Sequence, residues 1–149
     1  MRLQLTRRSD YAIRACLLLA AEDRCPVPGR RIAERMAIPG RFLPQVMGDL
    51  GRAGIVAATS GKHGGYCLHR DPATLSLLDV VDAVEGADRH RAGARPDQPR
   101  DGDPDRAVHA VWDAAQAAFV GVLAGASIAD LAARRRAALE NGPERPERT

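Results

Sequence analysis

The amino-acid sequence predicts a mainly α-helical fold that carries one small β-hairpin, followed by one long helix. Three observations support this prediction. Before residue 54, three short segments place apolar residues at helical spacing. A glycine-rich segment at 60–65 then separates two short runs of strand type. Further along, an apolar stripe with the period of a helix extends from Val108 to Leu123.

The first half of the chain contains the three short helices. Thr6 can cap the first helix, and Gly54 stands where the C-terminal cap of the third belongs. The segment Pro26-Val27-Pro28 breaks the chain after the first helix, and residues 37–40 are typical of a tight turn. The predicted helices cover about 7–21, Gly29–Met36 and Arg41–Ala53.

The third predicted helix contains a proline near its start and is followed by a β-hairpin pattern. Pro44 lies one turn into the predicted helix and lacks an N–H donor, so we expect the start of this helix to be bent or loosened. After Gly54, the runs Ile55–Thr59 and Tyr66–His69 are short and flank the glycine-rich tip. This pattern predicts a β-hairpin.

The second half is predicted to contain a polar loop between helical segments. Ser76, with Asp79 three residues later, begins a helix that ends at Gly86. Residues 87–103 contain no large aliphatic or aromatic side chain, so burial cannot offset the entropy of ordering them, and we predict a flexible loop. Residues 104–139 are predicted to form the long helix and a final short helix capped by Ser127, and 140–149 a disordered tail.

Composition and cysteine usage exclude several protein classes. We find no apolar run of the roughly 18–20 residues that a membrane span needs, since the longest candidate, Ala12–Ala21, is interrupted by Arg14. The start of the chain lacks the pattern of a secretory signal, so we expect a cytoplasmic protein. Three scattered cysteines, Cys16, Cys25 and Cys67, argue against a disulfide framework and against a ready-made metal site.

The net charge of +3 is distributed unevenly. Residues 1–70 hold 12 basic and 5 acidic side chains, a net of +7, whereas residues 71–149 hold 10 basic and 14 acidic ones, a net of −4. A basic half favours contact with polyanions, although chance variation on a solvated surface is an equally good explanation of the charge alone.

Three helices followed by a β-hairpin are typical of a winged helix-turn-helix domain, whose third helix fits the major groove of DNA. Arg41 and Gln45 would share one face of that helix, and these residue types can pair with guanine and adenine. Arginines at the starts of the first two helices could clamp phosphates, and glycine at the wing tip lets backbone approach a phosphodiester. Taken singly, such residues are more often solvated charges or ordinary loop residues than DNA contacts. We identify no catalytic residue and no metal ligand set.

The order of these motifs resembles the Rrf2 family of bacterial transcriptional regulators. The resemblance covers about residues 1–133 and rests on these segments: Asp10–Arg14, Arg30–Arg35, Arg52–Val56, Gly61–Tyr66, Leu77–Gly86 and Ser127–Leu131. It implies a winged-helix DNA-binding domain at 1–86 and a homodimer, joined through the long helix, on a palindromic operator. The residues expected to contact DNA are Arg7, Arg8, Arg30, Arg31, Arg41, Phe42, Gln45, Ser60, Lys62, His63, Gly64, Gly65 and Tyr66. Those expected to form the dimer are Val108, Val111, Trp112, Ala115, Phe119, Val122 and Leu123.

The sequence also departs from the pattern of that family. Many members hold an iron–sulfur cluster through three cysteines in the loop after the Glu-Gly motif, but residues 87–106 contain no cysteine here. Asp10 matches a position that supplies a cluster ligand in some relatives, and without the cysteines we interpret it as a carboxylate at a helix start. Ser60 stands where relatives often have a wing arginine. We therefore expect no cofactor, and the resemblance leaves the operator sequence open.

Alternative functions remain at this point. The leading hypothesis is a sequence-specific regulator, most readily a repressor, whose signal is a protein partner, a small-molecule effector or thiol oxidation at Cys25 or Cys67. The alternative is a protein–protein adaptor that keeps the fold but has lost specific DNA reading, a hypothesis that Pro44 and Ser60 favour. An enzyme is not expected.

Overall fold

A computed structural model describes residues 5–87 and 104–142 of the chain. The described part contains six α-helices and one two-stranded antiparallel sheet. Their bounds are α1 Arg7–Ala21, α2 Gly29–Met36, α3 Leu43–Arg52, β1 Val56–Thr59, β2 Gly65–Leu68, α4 Leu77–Glu85, α5 Arg106–Gly125 and α6 Ile128–Glu140. The predicted fold class is confirmed, and the predicted tail at 140–149 lies outside the described residues beyond Gly142.

Helix α1 is the centre of the core. It contacts α2, α3, β2, α4 and α6, and its buried face includes Ala12, Ala15, Cys16 and Leu18. Ile128, at the start of α6, is fully buried in the same cluster. Only 3% of the residues are aromatic, and the core is accordingly filled mainly by aliphatic side chains and alanine.

Side-chain caps fix the starts of three helices where the sequence predicted them. The Thr6 hydroxyl accepts a hydrogen bond from the Ser9 N–H, and the Ser127 hydroxyl accepts one from Asp130. At α4, Ser76 and Asp79 form a complete capping box. Each cap satisfies N–H groups that the first turn of a helix leaves without a backbone partner.

Helix α3 begins two residues later than predicted. Residues 40–42 form a turn in which the Phe42 N–H donates to the Pro39 carbonyl at 2.9 Å, and the helix starts at Leu43. Pro44 is then the second helical residue, where its missing N–H has no intrahelical partner to lose. The expectation that Pro44 bends or loosens the helix was therefore wrong, and so was the placement of Arg41 on the helix.

The hairpin of β1 and β2, which we call the wing, is extended by a short segment from the α1–α2 connection. Within it, Val56 pairs with Leu68 and Thr59 with Gly65. On the other edge of β2, Val27 and Tyr66 exchange two backbone hydrogen bonds of 2.9 Å each. The wing is therefore attached to the connection directly before α2.

A disulfide bond joins Cys25 to Cys67. The expectation that the scattered cysteines form no disulfide was wrong, because pairing of Val27 with Tyr66 brings together two residues that are 42 positions apart in the chain. Cys16 is a free thiol and is buried in α1, as expected. Burial raises the pKa of the Cys16 thiol to about 12, which keeps it protonated.

Helix α5 packs beside α4 but leaves most of its length exposed. By length and composition alone, this 20-residue helix is apolar enough to cross a membrane, and it is the one such helix in the described residues. The sequence prediction overlooked it because His109, Asp113 and Gln116 divide its apolar residues into short runs. Of the loop predicted at 87–103, residues 88–103 lie outside the described residues.

Candidate nucleic-acid interface

The turn before α3, the start of α2 and the wing together form one concave surface. A groove of about 550 Å³ is lined by residues of α2, by Gly40 and by Leu43 and Pro44 at the start of α3. A second concavity of about 610 Å³ lies between the start of α2 and the wing residues 58–66. Gly29 and Tyr66 line both, so the two are continuous. We call this surface the recognition groove.

Aromatic contacts hold the residues at the α3 end of the recognition groove. The Arg41 guanidinium lies over the Phe42 ring, 4.7 Å from its centroid. The Phe42 ring in turn lies 5.9 Å from the ring of Tyr11 on α1. Arg41 and Gln45 are exposed, and Phe42 is half-buried. An exposed guanidinium that is ordered by a ring beneath it is a suitable group for pairing with a base edge.

The two arginines at the start of α2 are exposed but engaged with carboxylates. Arg30 contacts Glu34 at 2.8 Å, one turn along α2, and Arg31 contacts Glu22 at 3.4 Å. The hydrogen bond and charge of Glu34 raise the pKa of Arg30 above its ordinary value. Exposed pairs of this kind are weak and can exchange a carboxylate for a phosphate. Both residues therefore stay candidates for phosphate contact, with reduced free charge.

Arg7 and Arg8 lie at the start of α1, near the opposite end of α3 from Arg41. Arg8 forms an ion pair with Asp49 of α3, and Arg52 pairs with the same carboxylate. Asp49 is largely buried and fixes the end of α3 to α1. Sequence reasoning missed it, although an acidic residue three positions before Arg52 on an otherwise apolar helix face was an available signal.

The wing tip presents polar side chains on a tightly folded backbone. Ser60, Lys62 and His63 are exposed, and Tyr66 is half-buried. A Cβ atom at Gly64 would lie 2.1 Å from the Thr59 carbonyl oxygen, and one at Gly65 would lie 2.2 Å from the Val27 carbonyl oxygen. Both glycines thus have an intramolecular reason to lack a side chain, and their predicted contact with DNA stays a prediction.

Three of the predicted DNA-contacting cations have no acidic partner within residues 5–87 and 104–142: Arg7, Arg41 and Lys62. Lys62 lines the recognition groove on the wing, and Arg41 lies in the turn before α3, between the lining residues Gly40 and Leu43. Free positive charge at both ends of a groove suits a ligand with a regularly charged backbone.

The second predicted surface is the apolar stripe of α5. Val108, Val111, Trp112 and Val122 are 55%, 69%, 58% and 73% exposed. Ala115 is also exposed, whereas Phe119 and Leu123 are half-buried. A contiguous apolar stripe of this size in water indicates a protein interface or a membrane contact.

The side chains available to an iron–sulfur cluster do not fit one. Cys25 and Cys67 are bonded to each other, and Cys16 is buried as a thiol. Residues 87–106 contain no cysteine. The carboxylate of Asp10 forms an ion pair with Arg14 at 2.6 Å. Among the described residues, no three His, Cys, Asp or Glu side chains are grouped as metal ligands.

Comparison with known sequences identifies relatives over most of the chain. A family model named Rrf2, described as an iron-dependent transcriptional regulator, matches residues 5–134. The protein slr0846 of Synechocystis sp., named as an HTH-type transcriptional regulator, is 35% identical over 130 residues, which cover 87% of each chain. The transcriptional regulator IscR of Photorhabdus laumondii is 30% identical over 131 residues, or 87% of this chain and 79% of the relative.

Solved structures share the architecture. CymR, the global cysteine regulator of B. subtilis, superposes with a TM-score of 0.72 at 23% identity and covers 89% of this chain and 98% of its own. IscR of T. potens superposes with a TM-score of 0.71 at 24% identity and covers 96% of this chain and 94% of its own. At this identity, the likeness concerns the fold.

Proposed function

The chain belongs to the Rrf2 family of winged-helix transcriptional regulators, and we propose that it represses transcription as a homodimer on a palindromic operator. DNA binding and regulation follow from the family. The repressor role, the dimer, the operator symmetry and the residues that contact DNA are our proposal.

One observation supports the proposal most directly: the recognition groove joins the start of α3 to the wing, with Lys62 lining it on the wing and the exposed Arg41 in the turn between the lining residues Gly40 and Leu43. The chain order α2, turn, α3, wing is the order in which winged domains place a helix in the major groove and a hairpin on the backbone. Arg41 and Gln45 are then the candidates for base reading, and Lys62 for phosphate contact.

The exposed stripe of α5 supports the dimer. Val111 and Trp112 are exposed members of the apolar stripe and would be covered by the same stripe of a second copy, as twofold symmetry requires. A two-fold dimer presents two recognition grooves, so its operator should contain two inverted half-sites. The membrane alternative for α5 gains nothing from the relatives, which are named as transcriptional regulators, and we propose a cytoplasmic location.

We also propose that the protein works without an iron–sulfur cluster. The support is chemical, because a cluster is usually held by four ligands that are mainly thiolates, whereas residues 87–106 contain no cysteine and Cys16 is buried, so that only Cys25 and Cys67 remain. Reconstitution of the purified protein with iron and sulfide should leave no cluster absorption after desalting and no change in DNA affinity. Stoichiometric iron retained with a change in DNA affinity would contradict this proposal.

The test of function begins with selection of binding sequences from random DNA, followed by fluorescence anisotropy with the selected site. We expect specific binding that survives excess unrelated DNA, at two chains per site, on a sequence with inverted half-sites. The apparent affinity should fall linearly on a log–log plot against salt. Selection that yields no preferred sequence would overturn the proposal.

A further inference from the structure

We propose that Cys25 and Cys67 form a thiol–disulfide exchange site whose oxidation state sets the DNA affinity of the protein. The inference rests on the proposed function and adds a signal to it. The reacting partners are dithiols or low-molecular-weight thiols in the reducing direction and a peroxide in the oxidising direction.

The Cys25–Cys67 bond connects the wing to the segment before α2. Cys67 lies in β2 of the wing, and Cys25 lies in the connection that leads into α2. Two backbone hydrogen bonds of Val27 with Tyr66 and the close approach of Gly65 to the Val27 carbonyl join the same connection to β2. The disulfide therefore attaches the wing covalently to the segment that positions the recognition groove.

The start of α2 packs closely against the wing and against α3. A Cβ atom at Gly29 would lie 3.4 Å from both the Tyr66 ring and the Leu43 side chain. The start of α2, the wing and the start of α3 thus meet within contact distance next to Cys25 and Cys67. Because these elements are closely packed, a change in the attachment of the wing would shift all three elements that form the recognition groove.

The disulfide is accessible to solvent, and the protein is proposed to work in the reducing cytosol. Cys25 is exposed and Cys67 is half-buried, so a thiolate can reach the bond from the side of Cys25. Cysteine pairs in the reducing cytosol do not usually serve as permanent cross-links, and those that form there are mostly transient, catalytic or redox-sensing. Cys16 takes no part, because it is buried and remains a free thiol.

The reaction balances as ordinary thiol–disulfide exchange. A thiolate attacks the sulfur of Cys25, forms a mixed disulfide with it and releases Cys67 as a thiolate. The second thiol of the dithiol then displaces Cys25, so the dithiol is oxidised, the protein disulfide is reduced and both cysteines take up protons according to pH. In the reverse direction, a peroxide oxidises one thiolate to a sulfenic acid, which condenses with the other thiol and releases water.

The expected effect is a loss of DNA affinity on reduction. The disulfide holds the wing in the orientation that completes the groove, whereas the reduced wing must be ordered when DNA binds. We expect reduction to weaken specific binding by about fivefold or more, the lower end of common coupling between sites. Peroxide treatment should restore the affinity.

The experiment uses the full chain in both states and needs no variant for its main result. Binding sites are selected separately with oxidised protein and with protein kept in dithiothreitol, and affinities are measured by anisotropy. In parallel, thiols are counted in denaturant, with one expected when the pair is bonded and three when it is reduced. Cys67→Ser should show the reduced affinity in both conditions, and Cys16→Ser, the matched control, should keep the redox shift.

Several outcomes would overturn the proposal. Equal affinities of the oxidised and reduced protein would do so, as would a bond that glutathione at cytosolic poise leaves intact. Three free thiols after peroxide treatment would show that the bond does not form. If neither form selects any DNA sequence, the proposed function fails first, and this result is distinguishable from equal, specific binding by both forms.

Discussion

At the scale of single residues, the two unpaired cations of the recognition groove and its rim differ in how they are held. The Arg41 guanidinium lies over the Phe42 ring, which in turn contacts the Tyr11 ring of the core helix at an interplanar angle of 30°. Lys62 lies at the tip of a hairpin with strands of only four residues each. An ordered guanidinium can select a base, whereas a flexible ammonium mainly adds charge. Their substitution should therefore weaken binding in different ways.

Replacing Arg41 by alanine should cost roughly 1–3 kcal/mol of specific binding and relax the preference at one base position. The reason is that a bidentate arginine contact discriminates between bases rather than adding charge alone. Anisotropy against the operator and against its single-base variants measures both effects. An equal loss on every sequence would assign Arg41 to the phosphate backbone instead.

Replacing Lys62 by alanine should weaken all DNA sequences about equally and lower the slope of log affinity against log salt by about one. A lysine at the wing tip is expected to release one counterion when it meets a phosphate. Arg135→Ala removes an exposed charge from α6 and serves as the matched control. A salt slope that is unchanged in Lys62→Ala would remove this residue from the interface.

Asp49 is a residue on which the orientation of α3 depends. Its buried carboxylate holds Arg8 and Arg52, so Asp49→Ala should lower the free energy of unfolding by about 1.5–3 kcal/mol. Asp10→Ala, which breaks the half-exposed pair with Arg14, should cost about 1 kcal/mol or less. Urea unfolding measures both variants. A smaller loss for Asp49 than for Asp10 would contradict this account.

At the scale of elements, the start of α4 depends on a capping box that is sensitive to pH. Burial alone would raise the pKa of Asp79, but hydrogen bonds with Ser76 and the ion pair with Arg70 outweigh it and lower the pKa below 3.8. Because the carboxylate of Asp79 binds a proton more readily in the unfolded chain than in the folded one, Asp79 stabilises the fold above pH 3.8. This stability is lost as the pH falls through the lowered pKa.

Asp79→Asn should therefore reduce stability at neutral pH and flatten the decline of the unfolding free energy between about pH 5 and pH 2. Urea unfolding across this range measures the slope. Asp130→Asn is the matched control, since Asp130 occupies the equivalent position of α6 without an ion pair among the described residues. Identical pH slopes in the two variants would refute the role given to Asp79.

Elements whose signals are local could be predicted from the sequence, and those that depend on distant contacts could not. Thr6, Ser76 and Ser127 cap helices because the hydroxyl and the N–H lie three residues apart. The start of α3 was misplaced because apolar spacing does not distinguish a turn at residues 40–42 from a first helical turn. The disulfide could not be predicted, since it requires the pairing of Val27 with Tyr66 across the fold.

The candidate site shows the same division. The exposed positions of Arg41, Gln45 and Lys62 follow from chain order and residue type, which the sequence contains. The engagement of Arg8 with Asp49 and of Arg31 with Glu22 depends on how α1 meets α3 and α2. Sequence reasoning could therefore nominate the cations, but it could not tell which of them are partly neutralised.

At the scale of the whole molecule, charge and apolar surface are separated along the chain. Residues 1–70 carry a net charge of +7 and contain the recognition groove, whereas the net −4 half contains the apolar stripe of α5. The acidic half repels the DNA backbone, so its apolar stripe stays available for contact with a second copy of the chain. One copy of the chain has one groove, and in the proposed dimer the stripe joins two copies so that two half-sites are bound at once.

The dimer can be tested by placing a charge on the stripe. Val111 is 69% exposed in the single chain, so Val111→Asp should hardly affect folding of the monomer but should leave an unpaired charge in the dimer interface. Ala117→Asp introduces the same charge at an exposed position outside the stripe, about 120° from Val111 around α5, and is the matched control. Sedimentation equilibrium should show a monomer for Val111→Asp and a dimer for Ala117→Asp.

The same variant connects assembly to DNA binding. A Val111→Asp monomer should bind one half-site weakly and lose most of its preference for the full palindrome, because the second groove is no longer held at a fixed spacing. Changing the half-site spacing by half a turn of DNA should impair the wild-type dimer but not this monomer. A Val111→Asp variant that still binds the palindrome as two chains would place the dimer interface elsewhere than on the stripe of α5.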